Sequence, residues 1–164
     1  LETADSGATL TNARVSAVLV EIADLLEIGG ESSFKVGAYR RAADSVARSG
    51  TDVAQAYREG NPPRLRGIGG SIGERIEELA TTGHLAYHEA LRAEIPPTLL
   101  EFLAIPGIGP KTVGEVWRTL GIATLPELEQ AARCLEEAFR LPMVPPRPET
   151  RERIASLVRE LVRR

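Results

Sequence analysis

The chain has 164 residues, a formal net charge of −3 and one cysteine. A chain of this length can bury one core or two small helical subdomains, and no run approaches the roughly 20 apolar residues of a membrane-spanning helix. The single cysteine, Cys134, excludes an internal disulfide and a cysteine-rich metal site, and we expect it to be a half-buried helix residue. The acidic balance argues against a protein that coats nucleic acid indiscriminately.

Residues 1–10 are small and polar, which predicts a flexible leader without a signal region. Because the chain begins at Leu1 and its only methionine is Met143, we expect a processed or excised piece of a cytoplasmic protein.

Helical periodicity dominates the first half of the chain. Apolar residues recur every three or four positions over 12–28 behind the candidate caps Thr11 and Asn12, which predicts a first helix. A second helix is predicted over 33–49, with Val36, Tyr39, Ala43, Val46 and Ala47 facing the core. Shorter helices are predicted over 53–58, 71–81 and 86–93, and Pro96-Pro97 marks a subdomain boundary.

The second half repeats the arrangement, and helices are predicted near 97–104, over 111–120 and over 125–132, the last capped by Thr124. The proline-rich run 142–148 indicates a linker or an extended arm, followed by a last amphipathic helix over 149–164. No segment alternates like a β-strand for long. The predicted class is therefore all-α, with two small helical subdomains over 11–95 and 96–164.

A glycine-rich pattern occurs twice, over 65–76 and 105–116, and each copy reads apolar-x-Gly-Ile-Gly-x-x-apolar-Gly-Glu-x-apolar. Glycine permits positive φ and leaves no Cβ against a close neighbour. The helix that follows offers unpaired N–H groups and the positive end of its dipole, so each turn is suited to bind a phosphate. Paired patterns of this kind are typical of helix-hairpin-helix motifs, which hold a nucleic-acid backbone without reading bases. The alternative is a unit for protein contacts or plain packing.

A third copy is expected near 135–144, but this segment has lost its glycines and we expect it to bind nothing. Charge is concentrated around the first copy. Residues 34–76 hold eight basic and four acidic residues, a local charge of +4, which leaves −7 for the rest of the chain. This distribution predicts a basic face on an acidic molecule, and the alternative is an ordinary solvated helix surface.

Three local matches in chain order, Asn12-Ala13, residues 34–43 and the two hairpins, resemble the amino-terminal region of the polymerase beta-like family X DNA polymerases. The resemblance implies an eight-kilodalton-type domain over 11–95 with the first helix-hairpin-helix, then a second helix-hairpin-helix subdomain. It also implies that the first hairpin holds DNA downstream of a short gap, near the 5′-phosphate, and that the second holds the primer strand.

The resemblance also implies individual roles. Lys35 and Tyr39 match positions that contact the 5′-phosphate, and Phe34 matches a base-stacking position, although without the resemblance both aromatic residues are interpreted as core. Lys35 and Lys111, the only lysines, both lie beside proposed phosphate sites. The implied DNA contacts are Phe34, Lys35, Tyr39, Arg40, Arg64, Arg66, Gly67, Gly69, Gly70, Ser71, Arg75, Gly107, Gly109, Lys111 and Thr112. A monovalent cation, Na⁺ or K⁺, is expected on the carbonyls of Leu65, Ile68, Leu103, Ile105 and Ile108, and no other cofactor.

Two departures from the family bear on catalysis. Arg75 occupies the position of the Schiff-base lysine of the family's deoxyribose phosphate lyase, and Ser71 that of a phosphate-binding lysine. A guanidinium stays protonated and cannot form a Schiff base, so we expect lyase activity to be weak or absent, with Lys35 the only remaining candidate. No Asp-x-Asp occurs to hold the metal ions of a polymerase palm.

The sequence therefore predicts a non-catalytic, sequence-independent DNA-binding module. Its expected partners are gapped, nicked or 5′-phosphorylated DNA in repair, including base excision repair, on the bacterial nucleoid, and a catalytic domain outside this chain. The alternatives are an abasic-site lyase that uses Lys35 and a protein-interaction module. His84 and His88, spaced as possible metal ligands on one helix face, lack an evident third ligand.

Overall fold

The computed structural model describes the backbone of residues 10–140 and the side chains of residues 10–134. This part of the chain contains helices and no β-strand, which confirms the all-α prediction. It divides into two compact units, one ending at Pro96 and the other beginning at Pro97. None of its helices is long and apolar enough to span a membrane.

The first unit consists of α1 (Asn12–Gly29), α2 (Ser33–Ala47), α3 (Val53–Arg58), α4 (Gly70–Thr82) and α5 (Ala86–Glu94). Helix α1 carries much of its core, because Leu19, Ile22 and Leu25 are almost fully buried and the helix packs along α2. Helix α3 packs against α4 across the first glycine-rich turn, as the two helices of a hairpin motif do.

The inward face of α2 differs from the prediction at one position. Ala42 is buried whereas Ala47, predicted to face the core, is exposed. The helical period explains the difference, because Ala42 lies three residues after Tyr39 and four before Val46, on the buried stripe. Ala47 is the last residue of the helix and lies at the edge of that stripe.

Thr11 and Asn12 have different roles at the start of α1. The Thr11 hydroxyl caps the helix by accepting from the Arg14 amide, at 3.3 Å. Asn12 is the first helical residue, and its side-chain amide donates to the carbonyls of Ser49 and Thr51, at 3.2 and 2.8 Å. The side-chain oxygen of Asn12 accepts from the Val53 amide at 2.9 Å. Asn12 is therefore not the cap, and it ties α1 to the connection between α2 and α3.

The second unit consists of α6 (Thr98–Glu101), a 3₁₀ turn (Phe102–Ala104), α7 (Pro110–Leu120) and α8 (Leu125–Arg140). Leu99, Phe102 and Val113 are its most deeply buried apolar side chains among the described residues. Cys134 lies on α8 but is exposed, so its predicted half-burial is wrong.

Helix α8 continues beyond its predicted end at 132, through residues 135–140, where a degenerate third turn was expected. The physical reason is local, since 127–140 contains neither glycine nor proline and is rich in strong helix formers. Residues 1–9 of the predicted leader, the proline-rich arm over 142–148 and the last helix over 149–164 lie outside the described residues.

Candidate nucleic-acid interface

Both glycine-rich segments form the same tight turn. The Ile68 amide donates to the Leu65 carbonyl at 3.3 Å, and the Ile108 amide donates to the Ile105 carbonyl at 3.1 Å. The third residue of each turn is a glycine at positive φ, 87° at Gly67 and 81° in the second copy. Positive φ at this position defines a type II turn and explains the glycine, and the second copy also has the favoured proline at its second position.

Each turn leads into a helix whose first amides have no acceptor. The first main-chain bond of α4 runs from the Gly73 amide to the Gly69 carbonyl at 2.8 Å, and neither Gly69 nor Gly109 caps its helix with a side chain. In the part of the chain that the structure describes, unpaired amides therefore lie at the cap and in the first turn of both helices. They belong to the cap Gly69 and to Gly70, Ser71 and Ile72 of α4, and to the cap Gly109 and to Lys111 and Thr112 of α7.

The starts of α1, α2, α3, α5 and α8 each have at least one amide bound by a side-chain oxygen. Thr11, Ser32 and Asp52 cap α1, α2 and α3 with side-chain oxygens. The Glu78 carboxylate accepts from the first amide of α5 at 2.9 Å, and Glu127 accepts from the two amides that precede α8. Among the described helices longer than four residues, α4 and α7 are thus the two whose starting amides receive no side-chain oxygen, which leaves these amides and the positive dipole end for a partner.

Three glycines at the helix starts have no role in packing. A Cβ built on Gly69, Gly70 or Gly109 would meet nothing within 4 Å. Gly67 differs, because its Cβ would lie 3.2 Å from the Arg41 Cβ on α2. Both turns are exposed at Gly67 and Gly107. Exposed backbone with open space beside unpaired amides suits the close approach of a phosphate.

Cationic side chains differ in whether a carboxylate neutralises them. Arg40 donates to Asp24 at 3.2 Å and to Glu27 at 2.6 Å, so this predicted DNA contact is held by α1. Arg48 and Arg92 also have carboxylate partners. Within the described residues, no carboxylate lies at ion-pair distance from the cations nearest the hairpins. These cations are Arg41, Arg64, Arg66, Arg75 and Lys111.

A cluster of two tyrosines and two cations lies beside the first hairpin. The rings of Tyr39 and Tyr87 are nearly parallel, at 14°, with centroids 6.3 Å apart. The Arg75 guanidinium carbon lies 3.7 Å from the centre of the Tyr87 ring, and Arg75 also donates to the Tyr39 hydroxyl. The Lys35 ammonium lies 5.8 Å from the centre of the Tyr87 ring. We call Lys35, Tyr39, Arg75 and Tyr87 the tyrosine–cation cluster.

The cluster keeps Lys35 charged. Hydrogen bonding with Tyr87 raises the pKa of Lys35 above its ordinary value, and the Glu31 carboxylate, 3.4 Å away, adds to the effect. A lysine that forms a Schiff base at neutral pH needs the opposite shift, because only the neutral amine is nucleophilic. The raised pKa thus favours the charged ammonium form of Lys35.

Phe34 and Tyr39 occupy opposite environments. Tyr39 is 2% exposed and belongs to the core, whereas Phe34 is 80% exposed at the start of α2, next to Lys35. The interpretation of Phe34 as a core residue is wrong. An exposed aromatic ring beside a cation is suited to stack on an unpaired base, a contact worth about 1–3 kcal/mol.

The hairpin carbonyls are the candidate ligands for the expected monovalent cation. The Leu65 and Ile105 oxygens each accept one hydrogen bond inside their turn, which leaves each a second lone pair. In the described range, no hydrogen bond reaches the carbonyls of Ile68 and Ile108. Oxygen is the ligand that hard cations prefer. Leu103 lies in the 3₁₀ turn before the second hairpin.

The histidines have other partners. His84 lies 3.3 Å from the Glu89 carboxylate. The Nε2 atom of His88 lies 3.1 Å from Glu21, although this contact is not aligned as a hydrogen bond. No group of three potential metal ligands occurs among the described histidine, cysteine and acidic residues.

Sequence reasoning missed Tyr87 and Arg41 as site residues. Nothing in the local sequence connects Tyr87 with Tyr39, because α5 brings the ring to the cluster from 48 positions away. Arg41 contributed to the counted basic segment, and its backbone against Gly67 places it at the first hairpin.

Comparison with known proteins is consistent with this geometry. Residues 10–85 match the helix-hairpin-helix domain family. The chain is 29% identical over 114 residues to the DNA polymerase/3′-5′ exonuclease PolX of Bacillus subtilis (strain 168). The matched region covers 70% of this chain and 20% of that relative. The chain thus spans about a fifth of the length of that relative. These findings confirm the resemblance to the amino-terminal region of the family X polymerases and support DNA binding.

Proposed function

We propose that this family X polymerase-like amino-terminal region binds DNA without sequence preference, by capturing backbone phosphates at two helix-hairpin-helix turns. The single observation that carries the proposal is the pair of uncapped helix starts, α4 and α7, with glycines that open onto free space. Amides and dipole ends attract a phosphate at any base sequence, and phosphate contacts position a protein without specifying bases.

We further propose that the tyrosine–cation cluster holds the 5′-phosphate at a gap or nick in DNA under repair. Arg75 and Lys35 supply two positive charges, and the Arg75 guanidinium offers the planar donor edge that matches a phosphate. Phe34 would stack on the neighbouring template base. The carbonyls of the two turns would hold a Na⁺ or K⁺ ion, whose charge would reduce repulsion between these oxygens and a phosphate.

Lyase chemistry through Lys35 is disfavoured by the raised pKa of that amine and by the guanidinium at Arg75. A protein-interaction module is disfavoured by the open glycines, since a protein partner has no general need for bare backbone amides. In the whole protein, we propose that this region presents gapped DNA to a catalytic domain outside the chain.

The proposal predicts a ranked binding profile. Affinity should be highest for a duplex with a short gap and a 5′-phosphate, lower for the same gap with a 5′-hydroxyl, and lowest for blunt duplex. The ranking should not change when the sequence is shuffled. Fluorescence anisotropy at two salt concentrations measures these affinities, because phosphate binding weakens steeply with salt.

Arg66→Ala and Arg48→Ala form a matched pair for this assay, since each removes one arginine from the same basic segment. Arg66 has no carboxylate partner among the described residues, whereas Arg48 pairs with Asp44 at 3.5 Å. Arg66→Ala should reduce the magnitude of the salt slope by about 0.9 and Arg48→Ala should leave it unchanged. No detectable affinity at low salt would support the protein-interaction alternative.

A further inference from the structure

We propose that Tyr87 is a positioning residue that orients Arg75 and Lys35 toward a 5′-terminal phosphate and thereby sets selectivity for phosphorylated ends. The inference rests on the proposed function and adds to it a residue outside the sequence-predicted site. Tyr87 would act through the two cations, and its ring is placed to do so by helix α5.

Arg75 is oriented by the tyrosine rings. Its guanidinium carbon lies 3.7 Å from the centre of the Tyr87 ring and 5.6 Å from the centre of the Tyr39 ring. Stacking uses the flat face of a guanidinium and leaves the N–H groups at its edge available. One of these donates to the Tyr39 hydroxyl. With no carboxylate at ion-pair distance in the described range, the rest of the edge can meet an anion.

Lys35 is the second cation that contacts the Tyr87 ring. Lys35 lies on α2 and Arg75 on α4, and both cations contact the ring of Tyr87 on α5. Hydrogen bonding with Tyr87 is the largest cause of the raised pKa of Lys35. Tyr87 is therefore the side chain that contacts both cations, in addition to Glu31 at Lys35 and Tyr39 at Arg75, and restraint before binding lowers the entropic cost of binding.

Helix α5, which carries Tyr87, is itself held at both ends. Its first amide donates to Glu78 on α4 at 2.9 Å. Near its other end, Arg92 donates to Glu21 on α1 at 2.7 Å, and His88 approaches the same carboxylate. These contacts tie the helix on both sides of Tyr87, which holds the ring against side chains of α2 and α4.

The expected effect is on selectivity. A terminal phosphate is recognised through a bidentate contact that needs a fixed guanidinium plane, whereas internal phosphates are held by the hairpin amides, which Tyr87 does not touch. Loss of the ring should therefore weaken binding to a 5′-phosphorylated gap and leave binding to the 5′-hydroxyl gap within about twofold. A cation–π contact of about 1 kcal/mol corresponds to roughly fivefold in affinity.

The test uses the full chain and two gapped duplexes that differ only in a 5′-phosphate or 5′-hydroxyl. The readout is the Kd for the 5′-hydroxyl duplex divided by the Kd for the 5′-phosphorylated duplex. This ratio is measured for wild type, Tyr87→Leu and Tyr87→Phe, after circular dichroism and thermal unfolding show that each variant folds. Tyr87→Leu should lower the ratio about fivefold, and Tyr87→Phe, which retains the stacking ring, should restore most of it. A ratio unchanged in Tyr87→Leu would overturn the inference.

A second variant keeps the inference testable if Tyr87→Leu does not fold. Arg75→Lys retains the charge but lacks the planar edge, so it should lower the ratio as much as Tyr87→Leu does. When both single variants fold, the double variant should show little additional loss, because the two residues act as one unit. If Arg75→Lys keeps the wild-type ratio, the inference is wrong. A wild-type ratio of one would instead contradict the proposed recognition of 5′-phosphate ends.

Discussion

Replacement of both Gly69 and Gly109 by valine is expected to lower DNA affinity about a hundredfold or more while the fold is retained. A β-branched side chain at these positions fills the space in front of the unpaired amides. Hydrogen bonds to a charged group contribute about 1.5–3 kcal/mol each, so loss of one at each hairpin costs about tenfold per hairpin. Each single variant should therefore lose about tenfold.

The backbone at these two glycines accepts valine. Gly69 has φ −91° and ψ 177°, and Gly109 has φ −97° and ψ 169°, which is extended geometry open to any residue. A Cβ would meet no atom within 4 Å beyond the adjacent residues of the chain. The change at the helix caps should cost at most about 1 kcal/mol of folding stability each.

Gly50→Val is the matched control, because a Cβ at Gly50 also meets nothing within 4 Å and Gly50 lies outside both hairpins. It should leave DNA affinity within about twofold of wild type. Titration calorimetry with one gapped duplex provides the affinities, and thermal unfolding verifies the fold. Equal losses in Gly50→Val and Gly69→Val would show that the glycines act through the fold and not through phosphate access.

Phe102→Ala is expected to give the largest loss of stability in the second unit. Phe102 is 1% exposed, and it is one of few deeply buried side chains described in that unit, together with Leu99 and Val113. Truncation of a buried phenylalanine costs about 3–5 kcal/mol. We expect α7 to lose its protection against amide hydrogen exchange, while α1 and α2, which have their own core, retain theirs.

Hydrogen exchange followed by mass spectrometry measures this difference along the full chain. Leu120→Ala, at a side chain that is 59% exposed on α7, is the control and should change stability by no more than about 0.5 kcal/mol. DNA affinity of Phe102→Ala should fall at least about tenfold, because the second hairpin is lost and the first remains. Wild-type protection of α7 in Phe102→Ala would contradict the assignment of Phe102 to the core.

Local patterns predicted much of this protein. The 3.6-residue period identified α1 to α5 and α7, because burial of an apolar stripe decides where helices form. The two Gly-Ile-Gly turns were predictable for another reason. Positive φ at Gly67 and Gly107 favours glycine, and glycine is visible in the sequence. Helix α8 was predicted too short because its expected end at 132 assumed that the hairpin repeat continued.

Features that depend on tertiary placement could not be predicted in this way. The stack of Tyr39 on Tyr87 needs α5 to lie beside α2, and no local pattern encodes that placement. Neutralisation of Arg40 by Asp24 and Glu27 likewise depends on the packing of α2 along α1. The exposure of Phe34 was ambiguous for the same reason, since an aromatic residue at the start of a helix is compatible with core or surface.

The central claim is that bare amides at two helix starts bind DNA phosphates. Chemical-shift titration of the ¹⁵N-labelled chain with a gapped, 5′-phosphorylated duplex tests it most directly. We predict the largest downfield amide-proton shifts at Gly69, Gly70 and Ser71 in α4 and at Lys111 and Thr112 in α7, with the same pattern for a duplex of shuffled sequence. Saturable binding of the duplex with no shift at these amides would contradict the claim.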